Sequence, residues 1–177
     1  DIIVVSVTIS ATGKVISDIA PNLHGTTLLT DLTSVKVMPM RAMKWAKCAT
    51  LGMHTMFGPG LASLRGQKLV FCRQKNNAHV AFLKKLFQAV GIQVIEMTPA
   101  EHDQETAYVQ GLTHAFYVLF AKAMRQRRKP LRLSTPIFSA HMATLKRVMR
   151  QDQTLIKDIL GYNPYFKKLC KNIQLHI

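Results

Sequence analysis

Ile92-Gln-Val-Ile-Glu-Met-Thr-Pro-Ala-Glu101 is the stretch where the chain changes character. Its first half, Ile92 to Glu96, is short and rich in β-branched residues, as a strand should be. Its second half reads as a helix start. Thr98 stands as the cap, Pro99 occupies the first helical position, and Glu101 lies three residues after the cap. Before this point strands and helices alternate. After it no strand pattern recurs. The expected fold class is therefore α/β and then all-α, with a boundary near Met97 separating residues 1–97 from 98–177.

Working outward toward the amino end, Ile2 to Val7 is a β-branched run that predicts a strand buried on both faces. Ala11 to Ile19 predicts a helix stopped by Pro21. Thr26 to Leu32 predicts a strand, Met38 to Lys47 a helix, and Ala49 to Met53 a strand ending at His54. Lys68 to Arg73 predicts a further strand. Val80, Leu83, Phe87 and Val90 recur at helical spacing, with Asn76 as cap and Gly91 as stop. Such alternation predicts parallel α/β units. Toward the carboxyl end, Tyr108, Leu112, Ala115, Phe116, Leu119 and Ala123 share one helical face, and Pro130 ends that helix. Ser134-Thr-Pro136 restarts a helix to about Arg150, and another spans Thr154 to Leu160. Pro164 to Ile177 is basic and weakly patterned.

Composition bounds the function. The 177 residues carry 48% hydrophobic content, enough for a folded core. No apolar run approaches the roughly 20 residues of a membrane helix. The first residues, Asp1-Ile-Ile-Val-Val5, lack the basic start of a secretion signal, and the opening inside a strand suggests an amino-terminally incomplete domain. Three scattered cysteines without Cys-x-x-Cys argue against a disulfide framework and a thiolate zinc site, and fit a reducing cytoplasm. The net charge of +15 attracts anions in general. With 7% aromatic residues and no RNA-binding sheet motif, specific nucleic-acid recognition is not indicated.

Two groups of residues have the pattern of a site. His54 ends a predicted strand on a loop containing Gly58, Pro59 and Gly60, and open α/β sheets bind ligands at that edge. On the helix that begins at Pro99, Asp103, Gln110 and His114 fall within about 20° of one angle at ideal helical pitch, opposite an apolar stripe centred on Leu112. A plain solvent-facing stripe would look the same.

Ser34-Val-Lys36, Leu51-Gly-Met-His-Thr-Met-Phe-Gly-Pro59, Glu101-His-Asp103 and Gln110-Gly-Leu-Thr-His114, in this order, resemble the prephenate/arogenate dehydrogenase family. The likeness runs from Asp1 to about Ile159. It implies part of a Rossmann-like sheet followed by a helical, dimerising domain. It implies NAD- or NADP-dependent oxidative decarboxylation of prephenate or arogenate, in tyrosine biosynthesis, by a cytoplasmic homodimer. It implies that His54 takes the proton of the substrate's ring hydroxyl, work that suits an imidazole. Ser34 would hydrogen-bond both that histidine and the hydroxyl, and Lys36 would add positive charge. Thr33 or Ser34 could equally be a helix cap. Gln110 and His114 would line the substrate cleft, and Arg147 would grip the ring carboxylate through its planar fork. Ser6, Val7 and Thr8 match the nicotinamide-side segment.

There are departures. Thr55 and Thr8 stand where the family usually has proline. The only Gly-x-Gly is Gly58-Pro-Gly60, so the glycine-rich cofactor turn is expected upstream of Asp1. The alternative reading is an inactive remnant, at most a basic anion- or nucleic-acid-binding protein.

Overall fold

A computed structural model describes residues 1–73 and 77–173. The chain forms two compact units, 1–104 and 105–177.

The first unit is built on a five-stranded sheet: β1 (Ile2–Val5), β2 (His24–Asp31), β3 (Lys47–Thr55), β4 (Lys68–Arg73) and β5 (Gln93–Glu96), in that spatial order. Three pairings are parallel and one, β3 with β4, is antiparallel. The exception has a plain cause. Parallel neighbours need a long crossover, usually a helix. Helices α1 (Ile9–Ile19), α2 (Val37–Ala42) and α3 (Ala78–Ala89) follow β1, β2 and β4, whereas residues 56–67 between β3 and β4 contain none.

Both faces of the sheet are covered. Ile16, Leu29, Met40, Met43, Val70 and Cys72 make one core, against α1 and α2. Leu28, Leu51, Phe71, Val80, Leu83 and Ile92 make the other, against α3. The edge strand β1 differs from expectation: Ile2 and Val4 are exposed, so it is not buried on both sides. Helix α3 is capped by Asn77, whose side chain accepts from the His79 backbone N–H at 2.8 Å. The expected cap, Asn76, lies outside the described residues. Gly91, at φ 83°, terminates that helix region as predicted.

Helix α4 (Pro99–Thr106) starts as its sequence predicts. The Glu101 N–H donates to Thr98 Oγ1 at 3.2 Å, and the Thr98 N–H donates to Glu101 Oε2 at 2.7 Å. No strand follows Glu96 among the described residues.

The second unit holds α5 (Thr113–Arg125), α6 (Pro136–Met149), α7 (Gln153–Tyr162) and α8 (Pro164–Asn172). Helix α5 stops five residues short of Pro130. Thr135, Asp152 and Asn163 cap α6, α7 and α8 with their side-chain oxygens. The described part of the weakly patterned tail is thus mostly a helix, capped by Asn163 with Pro164 at its first position. Residues Ala107–Leu112 form a π-helix. Gly111 lies within it, and an added Cβ there would stand 2.4 Å from Phe166 Cδ2, so the phenyl ring packs directly on that backbone.

The π-helix also ends the constant-pitch argument for a polar stripe. Its wider turn changes the angular spacing of everything it contains. His114, Ala115, Tyr117 and Ala121 are buried, whereas Tyr108, Phe116 and Leu119, expected to pack, are exposed.

Candidate functional site

The parallel strands bring their carboxyl ends into line. Val5 of β1 is in register with Asp31 of β2, and Asp31 with Gly52 of β3, two residues before His54. The segments after β1 and β2 and the end of β3 therefore share one sheet edge, where ligands of such sheets bind.

A buried polar network is assembled there. The His54 Nδ1 and His102 Nε2 nitrogens lie 2.8 Å apart. His102 Nδ1 lies 2.7 Å from Asp103 Oδ1. Asp103 in turn accepts the backbone N–H of Lys36 at 2.7 Å and that of Val37 at 2.9 Å. All of His54, His102 and Asp103 are buried. The open amides at the start of α2 are thus satisfied by a carboxylate more than sixty residues away. Neither Thr33 nor Ser34 caps this helix: the cap position is Lys36, and no cap bond comes from its own side chain.

Lys36 extends the network inward. Its ammonium donates to Asp31 Oδ2 at 2.5 Å and to the Met53 carbonyl at 2.7 Å, with both partners of the ion pair fully buried. Thr33 donates to the same Asp31 oxygen through its N–H at 3.0 Å and through its hydroxyl. Gly52 makes room for the lysine stem. A Cβ there would lie 3.1 Å from Lys36 Cδ and 2.9 Å from Met40 Sδ. Burial pulls the Lys36 pKa below its ordinary value, against the opposing pull of Asp31.

Electrostatics favour a neutral His54. Burial holds its pKa well below the usual imidazole value, and the adjacent His102 and Lys36 push the same way. An unprotonated imidazole is what a base requires. The nearby thiol of Cys72 is inert by the same physics: burial pushes it up to about 12.

The structure brings together some expected residues and separates others by role. His54 is at the network's end. Lys36 is near it, but its side chain is wholly internal and works on Asp31. Ser34 is half-buried and has no hydrogen bond to His54. Ser6, Val7 and Thr8 are exposed after β1 on the same edge. In the helical unit, Gln110 is half-buried in the π-helix, and Arg147 is exposed in the last turn of α6. His114 is buried, its Nδ1 has no hydrogen-bond partner, and burial lowers its pKa. His102 and Asp31 were not singled out by sequence reasoning. Their available signal was the Glu101-His-Asp103 segment for one and the strand end before Ser34 for the other.

No metal-ligand cluster occurs among the described residues, and none of their helices is long and apolar enough to cross a membrane.

Residues 1–96 match the family model for the nucleotide-binding domain of prephenate dehydrogenase, and residues 98–177 match that for its dimerization domain. The chain is 34% identical to a T-protein of Haemophilus influenzae, over 90% of its own length and 44% of that protein's. It is 28% identical to a "Probable arogenate/prephenate dehydrogenase" of Methanocaldococcus jannaschii, over 98% of its length and 43% of that protein's. The chain thus spans less than half of these relatives. Its fold is that of the Aquifex aeolicus prephenate dehydrogenase solved in complex with hydroxyphenyl propionate and NAD+, at a TM-score of 0.72 and 19% identity, covering 98% of this chain and 65% of that one. Matched by family models along almost its whole length, the chain belongs to the prephenate dehydrogenase family.

Proposed function

We propose that a protein containing this chain catalyses the oxidative decarboxylation of prephenate or arogenate in tyrosine biosynthesis. The observation that carries this reading is His54: a buried imidazole, held neutral, at the carboxyl edge of the sheet in a member of this family. His54 accepts the proton of the substrate's ring hydroxyl as carbon dioxide leaves and the ring becomes aromatic. Ser34, half-buried on the loop before α2, contacts the same hydroxyl. Arg147 offers an exposed guanidinium to a carboxylate, a bidentate match. Gln110 and His114 complete the substrate contacts, and the unpartnered His114 Nδ1 supports that role.

NAD or NADP, when bound, supplies the hydride acceptor. Ser6, Val7 and Thr8 fit its nicotinamide end, being exposed on the edge that carries His54. No residue described here forms a glycine-rich pyrophosphate turn. The exposed Tyr108, Val109, Phe116 and Leu119 of the helical unit support a homodimer.

Kinetics of the enzyme that contains this chain test the reading. His54→Asn keeps a hydrogen bond but no basic nitrogen, so kcat should fall by about 10²–10⁴ with KM little changed. Arg147→Gln should raise KM, with a loss on the order of 2–4 kcal/mol in kcat/KM. Because burial depresses the His54 pKa, kcat/KM should rise with pH only below about 6.5 and be flat above it with respect to this group. Both variants within about threefold of wild type would discard the assignment, leaving the basic anion-binding reading.

A further inference from the structure

The order of donors and acceptors around His54 carries one step more. Asp103 as a carboxylate can only accept, and it already receives the N–H groups of Lys36 and Val37. Its contact with His102 Nδ1 at 2.7 Å therefore requires the proton on that nitrogen. A neutral His102 then presents a lone pair at Nε2, 2.8 Å from His54 Nδ1. That contact in turn requires the proton of His54 on Nδ1. A neutral His102 satisfies both its nitrogens. A protonated one would have to donate from Nε2 and leave His54 Nδ1 as the acceptor, so the tautomer of His54 distinguishes the two arrangements.

We propose that His102 and Asp103 are positioning residues that hold His54 in its Nδ1–H tautomer, so that Nε2 is the basic nitrogen. Free imidazole side chains prefer the opposite tautomer, with the proton on Nε2. The relay reverses that preference by hydrogen bonding alone, as a carboxylate can fix the tautomer of a neighbouring imidazole. Asp103 ties the same relay to the first turn of α2, and so to the Ser34 loop that leads into it. The tautomer concerns the chain itself. Its use as a base rests on the function proposed above.

The experiment is long-range ¹H–¹⁵N correlation on the chain labelled with ¹⁵N-histidine, without substrate or cofactor. Its failure is therefore separate from any failure of the kinetic test. Wild-type His54 is expected to show a protonated Nδ1 and an unprotonated Nε2. An Nε2–H form, or an imidazolium at neutral pH, would overturn the proposal. His102→Phe keeps a ring but offers no acceptor, and His54 should shift to mainly Nε2–H. His102→Gln can still accept from Nδ1–H through its carboxamide oxygen and should restore the wild-type pattern. An unchanged tautomer in His102→Phe, or a loss of Nδ1–H in His102→Gln equal to that in His102→Phe, would also overturn it. A merely structural His102 would not give this split. Should His102→Phe fail to fold, the wild-type spectrum and His102→Gln still decide.

Discussion

Helices α2 and α4 start in opposite ways. At α4 the cap is local: Thr98 and Glu101 satisfy each other's backbone amides on an exposed surface. At α2 the amides of Lys36 and Val37 are satisfied by Asp103, from a different helix and in the interior. The first arrangement can be read in four consecutive residues. The second exists only once the chain has folded. A local cap fixes where a helix begins. A remote cap fixes which two segments meet, and here the segments that meet are the Ser34 loop and the histidine pair.

The largest effect is expected of Asp103→Ala. It leaves one buried amide donor, one partly buried amide donor and the His102 Nδ1 donor without an acceptor. The expected loss is on the order of 4 kcal/mol in urea unfolding, a large share of a typical domain's stability. A loss below about 1 kcal/mol would mean that water or another group replaces the carboxylate, and that the remote cap does little.

A second variant sharpens the picture by attacking the inner ion pair. Lys36→Met leaves the fully buried Asp31 carboxylate without its cation, and should cost about 3 kcal/mol. Combining it with Asp31→Asn should recover part of that loss, since the uncompensated charge is gone. Equal losses in the single and double variants would show that the lysine stem's packing over Gly52, rather than its charge, matters.

These same contacts mark how far sequence reading reaches. Strand–helix alternation, the switch to helices at Thr98, and the restart at Thr135 are local patterns, and the structure contains each of them. His54 was legible as a histidine at a strand's carboxyl end, where ligands collect, although it stands within β3, opposite Val70, rather than on the loop that follows. His102 was not, because its role depends on a ring 48 residues away. The inward pairing of Lys36 was not legible for a related reason. A lysine is rarely fully buried, so nothing nearby in sequence points to an internal partner five residues back with a glycine opposite to admit the stem. The polar stripe on the long helix rested on a constant pitch, and no residue-by-residue angle anticipates the π-turn that contains Gly111, on which Phe166 packs.

The smallest expected effect belongs to the local cap. Thr98→Ala removes one acceptor for the Glu101 amide on a surface where water can take its place. A cap substitution of this kind costs about 1 kcal/mol. Glu101 would lose the side-chain bond from Thr98 but keep the backbone one, which is the larger cause of its lowered pKa. Asp103 lies one turn further along α4, so fraying at Thr98 should stop before it reaches the relay. Thr98→Ala should therefore lower stability slightly while leaving the His54 ring ¹⁵N shifts at their wild-type values. A change in those shifts would mean that the local cap and the remote cap are one cooperative unit, and the distinction drawn between α2 and α4 would fall.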